Sequence, residues 1–583
     1  MRINNLNAWE YNSSLSTLLF FAQKMDELLF HHSTDTYRYP VLSIIDLCDE
    51  YITVYKDVED KIIAENNLKY IKEELIALLK EDTVAIKILS SDYKERFVKN
   101  NGSWSKKEIY ENIIFMRRKL GGGIYLQEVI ELLRNNIKEN KEKRLVDRYS
   151  GVLARLLIDV GYSDTYIYNC LHEVFFFNVV KDFSSFDDFI SKFDLQTKKY
   201  SVYIGYSKDL STIVPLFQRL QMEEAVITSL DLANLPTGVK SKGMKTILLF
   251  ENVEGLDIYS AYDIISKISG IIVNAFGYYN HMRDGIKEYG QVKDLDNKIH
   301  TIRNQDLLKY RVSSLSYQKS QINAEKLLNI LFSSYKNIGE ISEITEIHNS
   351  AIYSESTSDS LLSLWSILEK ISVEKENDNM SRVKESLLPF LRCTYIEKIV
   401  ETSLLDIKRW NSSFFEKILS ETGNEKELEA MFSFLCLEEF DYLRKELYSL
   451  TEMYPLLRYR VYFLNAQLKN SKGLMSLIDT HTKRVEWHLH RIYRARNYII
   501  HDGKRSDEHF PELVINLHSY VDLMFNKIIN LLSDSPYSRD SIEDIVIEQK
   551  LKVAIMDEKM NTKQKIKLEK TDLKFYLYYD YEK

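Results

Sequence analysis

Residues 491–503 read Arg491-Ile-Tyr-Arg494-Ala-Arg496-Asn497-Tyr-Ile-Ile-His501-Asp-Gly503. Apolar residues recur at helical spacing in and before this stretch, which predicts one amphipathic helix over 474–501. The glycine that follows is typical of a helix C-cap and places His501 in the last turn. We therefore expect a long helix that packs one face into a C-terminal helical bundle.

The opposite face of this predicted helix carries an unusual set of side chains. Residues three and four apart share a face of a helix, and here that face holds Glu486, His490, Tyr493 with Arg494, Asn497 and His501. Arg496 lies between this face and the apolar one. A solvated surface helix would carry scattered Lys and Glu, so the cluster indicates a site.

The residue types of this cluster indicate a particular chemistry. An arginine can hold a phosphate, and an imidazole can carry protons near neutral pH. Together they suit RNA cleavage without a metal. Arg491, Lys504 and Arg505 make the stretch locally basic, and we expect them to contact RNA.

The rest of the C-terminal half also reads as helical. Ser356-Thr-Ser-Asp-Ser360 is a capping cluster ahead of a helix that contains Trp365 and Glu369. Further helices are predicted with a break or kink near Pro389, and one helix is predicted over 426–450. We expect a bundle over 318–535 and a charged, Tyr-rich tail over 536–583.

The N-terminal half divides into two regions. Residues 1–198 show helical periodicity and form a predicted helical region with a possible sensor or regulatory role. Residues 199–317 contain short β-branched and aromatic runs that predict a small α/β domain. Gly121-Gly122-Gly123 lacks the Gly-Lys-Ser/Thr ending of a phosphate loop, so a turn is predicted there.

Composition limits the possible functions. The net charge of −8 excludes a general nucleic-acid-binding surface, so an RNA site must be a local patch. The four cysteines are widely spaced and predict buried, reduced thiols. Residues 1–6 lack the order of a signal peptide, and the most apolar window is too short to cross a bilayer. We expect a cytoplasmic protein with no membrane, metal or cofactor.

The motif resembles the signature of the HEPN superfamily, in which an arginine, usually a polar residue, three to five further residues and a histidine follow one another. Arg496-Asn497-Tyr-Ile-Ile-His501 matches that order. The surrounding sequence and the upstream Trp365 helix look most like the ApeA-like HEPN branch of bacterial anti-phage proteins. The resemblance covers roughly residues 320–535.

The resemblance implies a metal-independent endoribonuclease. The RNA 2′-hydroxyl would attack the adjacent phosphorus and leave 2′,3′-cyclic phosphate and 5′-hydroxyl ends. His501 would act as base or acid, and Arg496 would stabilise the transition state. Asn497 would orient His501 or the phosphate. The resemblance also implies a homodimer through the HEPN domain, toxic action on host or phage RNA in abortive infection, and a phage-derived trigger.

Alternatives accompany these expectations. Arg496 and His501 could serve a structural helix with a surface ion pair to Asp502 or Glu486, or a non-catalytic HEPN module that binds RNA or a partner. Glu369 could pair with Arg494 or Arg496, to support the site or as a plain salt bridge. His490, Arg494 and Tyr493 are expected to support the site, and Trp365 is expected in the core.

Overall fold

The computed structural model describes residues 3–30, 42–99, 104–210, 226–280, 288–302, 317–332, 338–354, 356–373, 378–501, 510–533, 540–562 and 575–577. The chain is mainly helical and contains one small antiparallel sheet, which confirms the predicted fold class. It forms two compact units. The larger holds residues 1–4, 12–150 and 306–583, and the smaller holds residues 5–11 and 151–305. The helices before residue 150 therefore pack with the C-terminal helices.

The first part of the larger unit consists of short helices with local capping signals. Ser43 and Asp46 form a capping box, as do Ser105 and Glu108, and each satisfies two backbone groups at a helix start. The predicted glycine turn is present, and Gly123 has a left-handed φ of 79°. The helices are α1 Ser16–Leu29, α2 Ile44–Glu59, α3 Asn66–Glu81, α4 Thr83–Leu89, α5 Ser91–Lys99, α6 Lys106–Leu120 and α7 Ile124–Lys138. The next helix, α8 Lys143–Val160, contributes residues up to 150 to this unit and the remainder to the smaller one.

The C-terminal part of the larger unit is a helical bundle. Its apolar core is built from residues between Ile330 and Val546, and Trp365 is buried within it as predicted. The side chain of Ser356 caps α14 by accepting from the Asp359 amide. Helices α9 to α11 belong to the smaller unit and are given below. The helices of the bundle are α12 Tyr317–Phe332, α13 Ile338–Tyr353, α14 Thr357–Ile371, α15 Asn379–Trp410, α16 Ser412–Thr422, α17 Glu427–Cys436, α18 Asp441–Leu450, α19 Pro455–Leu468, α20 Ser471–His501, α21 Phe510–Ser533 and α22 Ile542–Thr562.

Of the break or kink predicted near Pro389, the break is absent, because α15 continues through that residue. Another helix prediction in this region is wrong. The single helix predicted over 426–450 is divided into α17 and α18, because Leu437 is extended and a 3₁₀ turn follows it. The buried guanidinium of Arg444 donates to the carbonyls of Phe434 and Leu437, which satisfies the end of α17.

The smaller unit contains the predicted strands. They form one antiparallel sheet in the order β2-β3-β1-β4-β5, and α11 packs on the face that carries the main core. Asp257 accepts hydrogen bonds from the amides of Tyr259 and Ser260 and so caps the start of α11. The elements are α9 Asp164–His172, α10 Ser184–Ser191, β1 Lys198–Tyr206, β2 Val226–Ser229, β3 Thr246–Gly255, α11 Ile258–Asn280, β4 Glu288–Lys293 and β5 Ile299–Ile302.

The described helices contain none that is both long and apolar enough to span a membrane. All four cysteines are free and buried, as predicted.

The contact between β4 and α11 depends on a glycine. A Cβ atom at Gly290 would lie 2.2 Å from a ring carbon of Tyr262, which is itself buried. We expect Gly290→Ala to lower the free energy of unfolding of the smaller unit by about 1–3 kcal/mol through overpacking. Thermal and urea unfolding measure this change.

Gly270→Ala is the matched control, since a Cβ at Gly270 in α11 meets nothing within 4 Å. Alanine is the better helix former there, by up to about 1 kcal/mol. Equal losses in both variants would contradict the packing explanation.

Candidate functional site

The candidate site is built on α20, whose apolar face is fixed in the bundle core. Val485, Leu489 and Ile492 are all buried there, as the sequence pattern predicts. Because these residues hold the helix against α15 and α21, the orientation of its other faces is also fixed.

Arg496 and Asn497 lie beside α14. Arg496 donates to Asn497 Oδ1 over 3.2 Å, and its Nη2 lies 3.5 Å from Glu369 Oε1. The same Glu369 oxygen accepts from the Trp365 indole over 2.8 Å. Glu369 therefore pairs with Arg496, one of the two arginines predicted as its possible partners. The Arg496 side chain keeps 21% of its surface exposed, so the protein does not fully enclose it.

Tyr493 also contacts α14. Its ring lies 5.4 Å from the Trp365 ring, measured between centroids, and it packs against the bundle core. This contact continues the Trp365–Glu369–Arg496 series along the interface of α14 and α20. Tyr493 therefore supports the cluster by packing.

Arg491 and Arg494 face the N-terminal helices instead. Arg491 makes a two-pronged pair with Glu50 of α2, at 2.9 Å for both bonds, and reaches Glu74 of α3 at 2.6 Å. Arg494 donates to the same Glu50 carboxylate. Both arginine side chains are only 4% exposed, so this network, here called the arginine–glutamate cluster, is buried.

The cluster strongly perturbs ionisation. Burial alone would raise the pKa of the Glu50 carboxyl, but the charges and hydrogen bonds of Arg491 and Arg494 outweigh it and lower the pKa to about 2. Burial likewise opposes the charge of Arg491, yet Glu50 and Glu74 raise the pKa of its guanidinium. Glu50 and Arg491 are therefore charged at neutral pH.

Three histidines of α20 are held neutral. Burial, reinforced by nearby arginine or lysine charges, lowers the pKa of His481, His488 and His490 to about 3 each. His488 pairs with the Tyr520 hydroxyl at 2.9 Å, and His490 stacks on Tyr70 at 3.3 Å between centroids. They point to different partners and do not converge on a shared ligand.

The predicted site residues thus separate into two groups. Arg496, Asn497, Glu369 and Tyr493 come together at α14, whereas His490, Arg491 and Arg494 are enclosed by α2 and α3. The guanidinium of Arg491 was predicted to contact RNA, and in the structure it is bound by the carboxylates of Glu50 and Glu74. Glu486 pairs with Lys384 at 3.2 Å and Lys483 at 3.1 Å, and not with Arg496.

The end of the motif is only partly described. His501 is the last residue of α20, and its side-chain surroundings lie outside the described structure. Asp502, Gly503, Lys504 and Arg505 also lie outside the described residues. Helix register places His501 one turn after Asn497 and Tyr498.

The N-terminal half of this site was not predicted. Glu50, Glu74, Asp57 and Tyr70 contact α20 from more than 400 positions away. A signal was present, because Glu50 stands next to Tyr51 and three residues after Leu47, both buried residues of α2. A carboxylate at the edge of an apolar face indicates a buried cationic partner, but it does not say which one.

Searches against family models, curated proteins and solved structures found no match to this chain.

Breaking the arginine–glutamate cluster should be costly. Glu50→Gln removes the carboxylate that pairs with Arg494 and leaves Arg491 with Glu74 alone, so we expect the free energy of unfolding of the larger unit to fall by about 3–5 kcal/mol. Asp49→Asn is the matched control, because Asp49 pairs with Arg117 at the surface, where a pair contributes about 0–1 kcal/mol.

The same comparison has a defined pH dependence. Since the folded pKa of Glu50 lies below its unfolded value of about 4.3, its contribution is complete above that value. It is lost as pH falls toward 2. The difference in unfolding free energy between wild type and Glu50→Gln should therefore shrink in acid, and a difference that stays constant would contradict the ion-pair assignment.

Proposed function

We propose that the protein is a metal-independent endoribonuclease whose site is formed by Arg496, Asn497 and His501. The observation that carries the proposal is the position of Arg496. It is partly exposed to solvent beside Glu369 and Asn497, five residues before the histidine that ends α20. A fixed cation in the same helical segment as a proton carrier supports the proposal, because phosphate-ester cleavage requires both groups.

The other histidines of α20 support the choice of His501. A general acid or base works best when its pKa lies near the operating pH. His481, His488 and His490 have pKa values lowered to about 3 and are engaged by protein rings or hydroxyls. His501 is the histidine of this helix that remains for proton transfer.

In the proposed reaction the 2′-hydroxyl of RNA attacks the adjacent phosphorus while a base removes its proton. The bond from phosphorus to the 5′-oxygen breaks, and that oxygen receives a proton and leaves as a hydroxyl. Arg496 stabilises the charge that develops on the non-bridging oxygens, and Glu369 holds the guanidinium in place. His501 supplies one of the two proton transfers.

A second imidazole is supplied by a second chain in this proposal. One motif offers one histidine, and the cleavage needs both an acid and a base. We therefore propose a homodimer in which two α20 helices face one cleft, acting on host or phage RNA in bacterial anti-phage defence after a phage-derived trigger. The non-catalytic alternative is a HEPN-type module that binds RNA or a partner through the same surface.

RNA cleavage in EDTA tests the proposal. We expect wild type to produce 2′,3′-cyclic phosphate and 5′-hydroxyl ends, and His501→Ala to lose about 10²–10⁴-fold in rate, because a positioned acid or base contributes that much. Arg496→Ala should lose a comparable factor, since removing one preorganised donor costs about 10²–10³.

Arg484→Ala is the matched control for the charge change, because Arg484 is an exposed arginine three turns earlier in α20. It should cleave like wild type. Equal cleavage by wild type and His501→Ala would remove His501 from the mechanism. RNA binding without cleavage, together with normal growth of cells that overexpress the protein, would favour the binding module.

The N-terminal helices provide a candidate restraint on this site. Tyr498, which lies one turn before His501, donates a hydrogen bond to Asp57 of α2. Together with the arginine–glutamate cluster, this bond covers the face of α20 that leads to the motif. We propose that α2 and α3 hold the nuclease in a latent state.

Asp57→Asn tests the restraint. The loss of a charged acceptor weakens a contact that contributes about 1.5–3 kcal/mol, so we expect RNA cleavage to rise by up to about tenfold. Asp60→Asn, at the end of the same helix, is the control and should leave the rate unchanged. A lower rate in Asp57→Asn would show that Asp57 supports the active site and does not restrain it.

A further inference from the structure

A second group of chemically active side chains lies on the bundle, where α13 meets α21. His348 of α13 and His518 of α21 both approach Asp522 of α21. His348 Nε2 lies 2.8 Å from Asp522 Oδ1, and His518 Nδ1 lies 3.4 Å from Asp522 Oδ2. The imidazole centroids are 5.1 Å apart.

We infer that His348, His518 and Asp522 form a binding site for a divalent transition-metal ion of the zinc class. Potential ligand atoms of the three side chains all lie within 4.8 Å of one another, and no other group of this kind occurs among the described residues. Zinc ligands stand about 2.0–2.2 Å from the ion, so adjustments on the order of 1 Å bring all three onto one centre.

The chemistry of the donors selects the ion. Two imidazoles and one carboxylate suit zinc and its first-row neighbours, whereas calcium and magnesium prefer oxygen ligands throughout. Three protein ligands also leave a position open for water or another small ligand.

The backbone holds these donors in place. His518 and Asp522 are four residues apart on α21 and therefore share one face. The neighbouring Leu517 and Val521 are buried in the bundle core, as are Ile344 and Ala351 on α13. His518 is buried, while the Asp522 side chain keeps 32% of its surface exposed and offers an entry path.

This arrangement differs from an ordinary histidine–carboxylate pair in the same chain. His300 lies 2.5 Å from Asp294 in the smaller unit. That pair belongs to no three-ligand group among the described residues. It therefore offers a matched control for hydrogen bonding without coordination.

The test is a zinc titration of the full chain after chelator treatment, followed by calorimetry. We expect one tight equivalent in wild type and in His300→Gln. Asp522→Asn and His348→Gln should each weaken that equivalent by more than about 100-fold, because even outer-shell partners change metal affinity by about 10–100-fold.

Cobalt(II) provides a second measurement that does not depend on variants. Bound to wild type, it should give the intense visible bands of a four- or five-coordinate ion, and zinc should displace it. Absence of a tight equivalent in wild type would overturn the site. So would an affinity in Asp522→Asn and His348→Gln equal to that of wild type. If a variant fails to fold, the cobalt spectrum of wild type decides, and a pale, six-coordinate spectrum would overturn the site.

Discussion

The larger unit depends on arginines of the C-terminal half that are buried against carboxylates of the N-terminal half. Arg491 and Arg494 bind Glu50, and Arg491 also binds Glu74. A similar buried group joins Arg460 of α19 to Glu27 of α1 and Asp406 of α15. A buried charge without its partner is strongly unfavourable, so each guanidinium requires the helix that carries its carboxylate. The constraint links segments more than 400 residues apart.

This constraint places the proposed chemistry next to a restraint. On one side of α20, Arg496 is held by Glu369 and stays partly open. On the other side, the arginine–glutamate cluster and the bond from Tyr498 to Asp57 attach the same helix to α2 and α3. A movement of α2 and α3 would therefore change the contacts of α20 within one turn of His501. That proximity is the physical basis for proposing a latent nuclease.

The sequence predicted local structure well where periodicity is strong. The strands of the small α/β region follow from β-branched and aromatic runs, and the long helix ending at His501 follows from three- and four-residue spacing. The interruption at Leu437 did not follow, because it depends on a tertiary contact from Arg444 to two carbonyls. A break or kink was expected near Pro389, and the helix is continuous through that residue.

The candidate site was only half predictable. Arg496, Asn497 and Glu369 could be singled out by residue type, and the structure brings them together. The partners of Arg491, Arg494 and Tyr498 could not be found, because nothing in a single sequence pairs an arginine with a particular glutamate 441 or 417 positions away. The group proposed to bind zinc was not singled out in the sequence for the same reason, since His348 and Asp522 are 174 positions apart.

A double-mutant cycle on Glu50 and Arg491 tests most directly whether a buried charge pair joins the N-terminal helices to α20. Glu50→Gln, Arg491→Met and the double variant are compared by the free energy of unfolding of the larger unit. The structure predicts a coupling energy of about 2–3 kcal/mol, because Glu50 and Arg491 bind each other directly through two hydrogen bonds in a buried network. A coupling energy below about 0.5 kcal/mol would mean that the two sites act independently, and it would contradict the account.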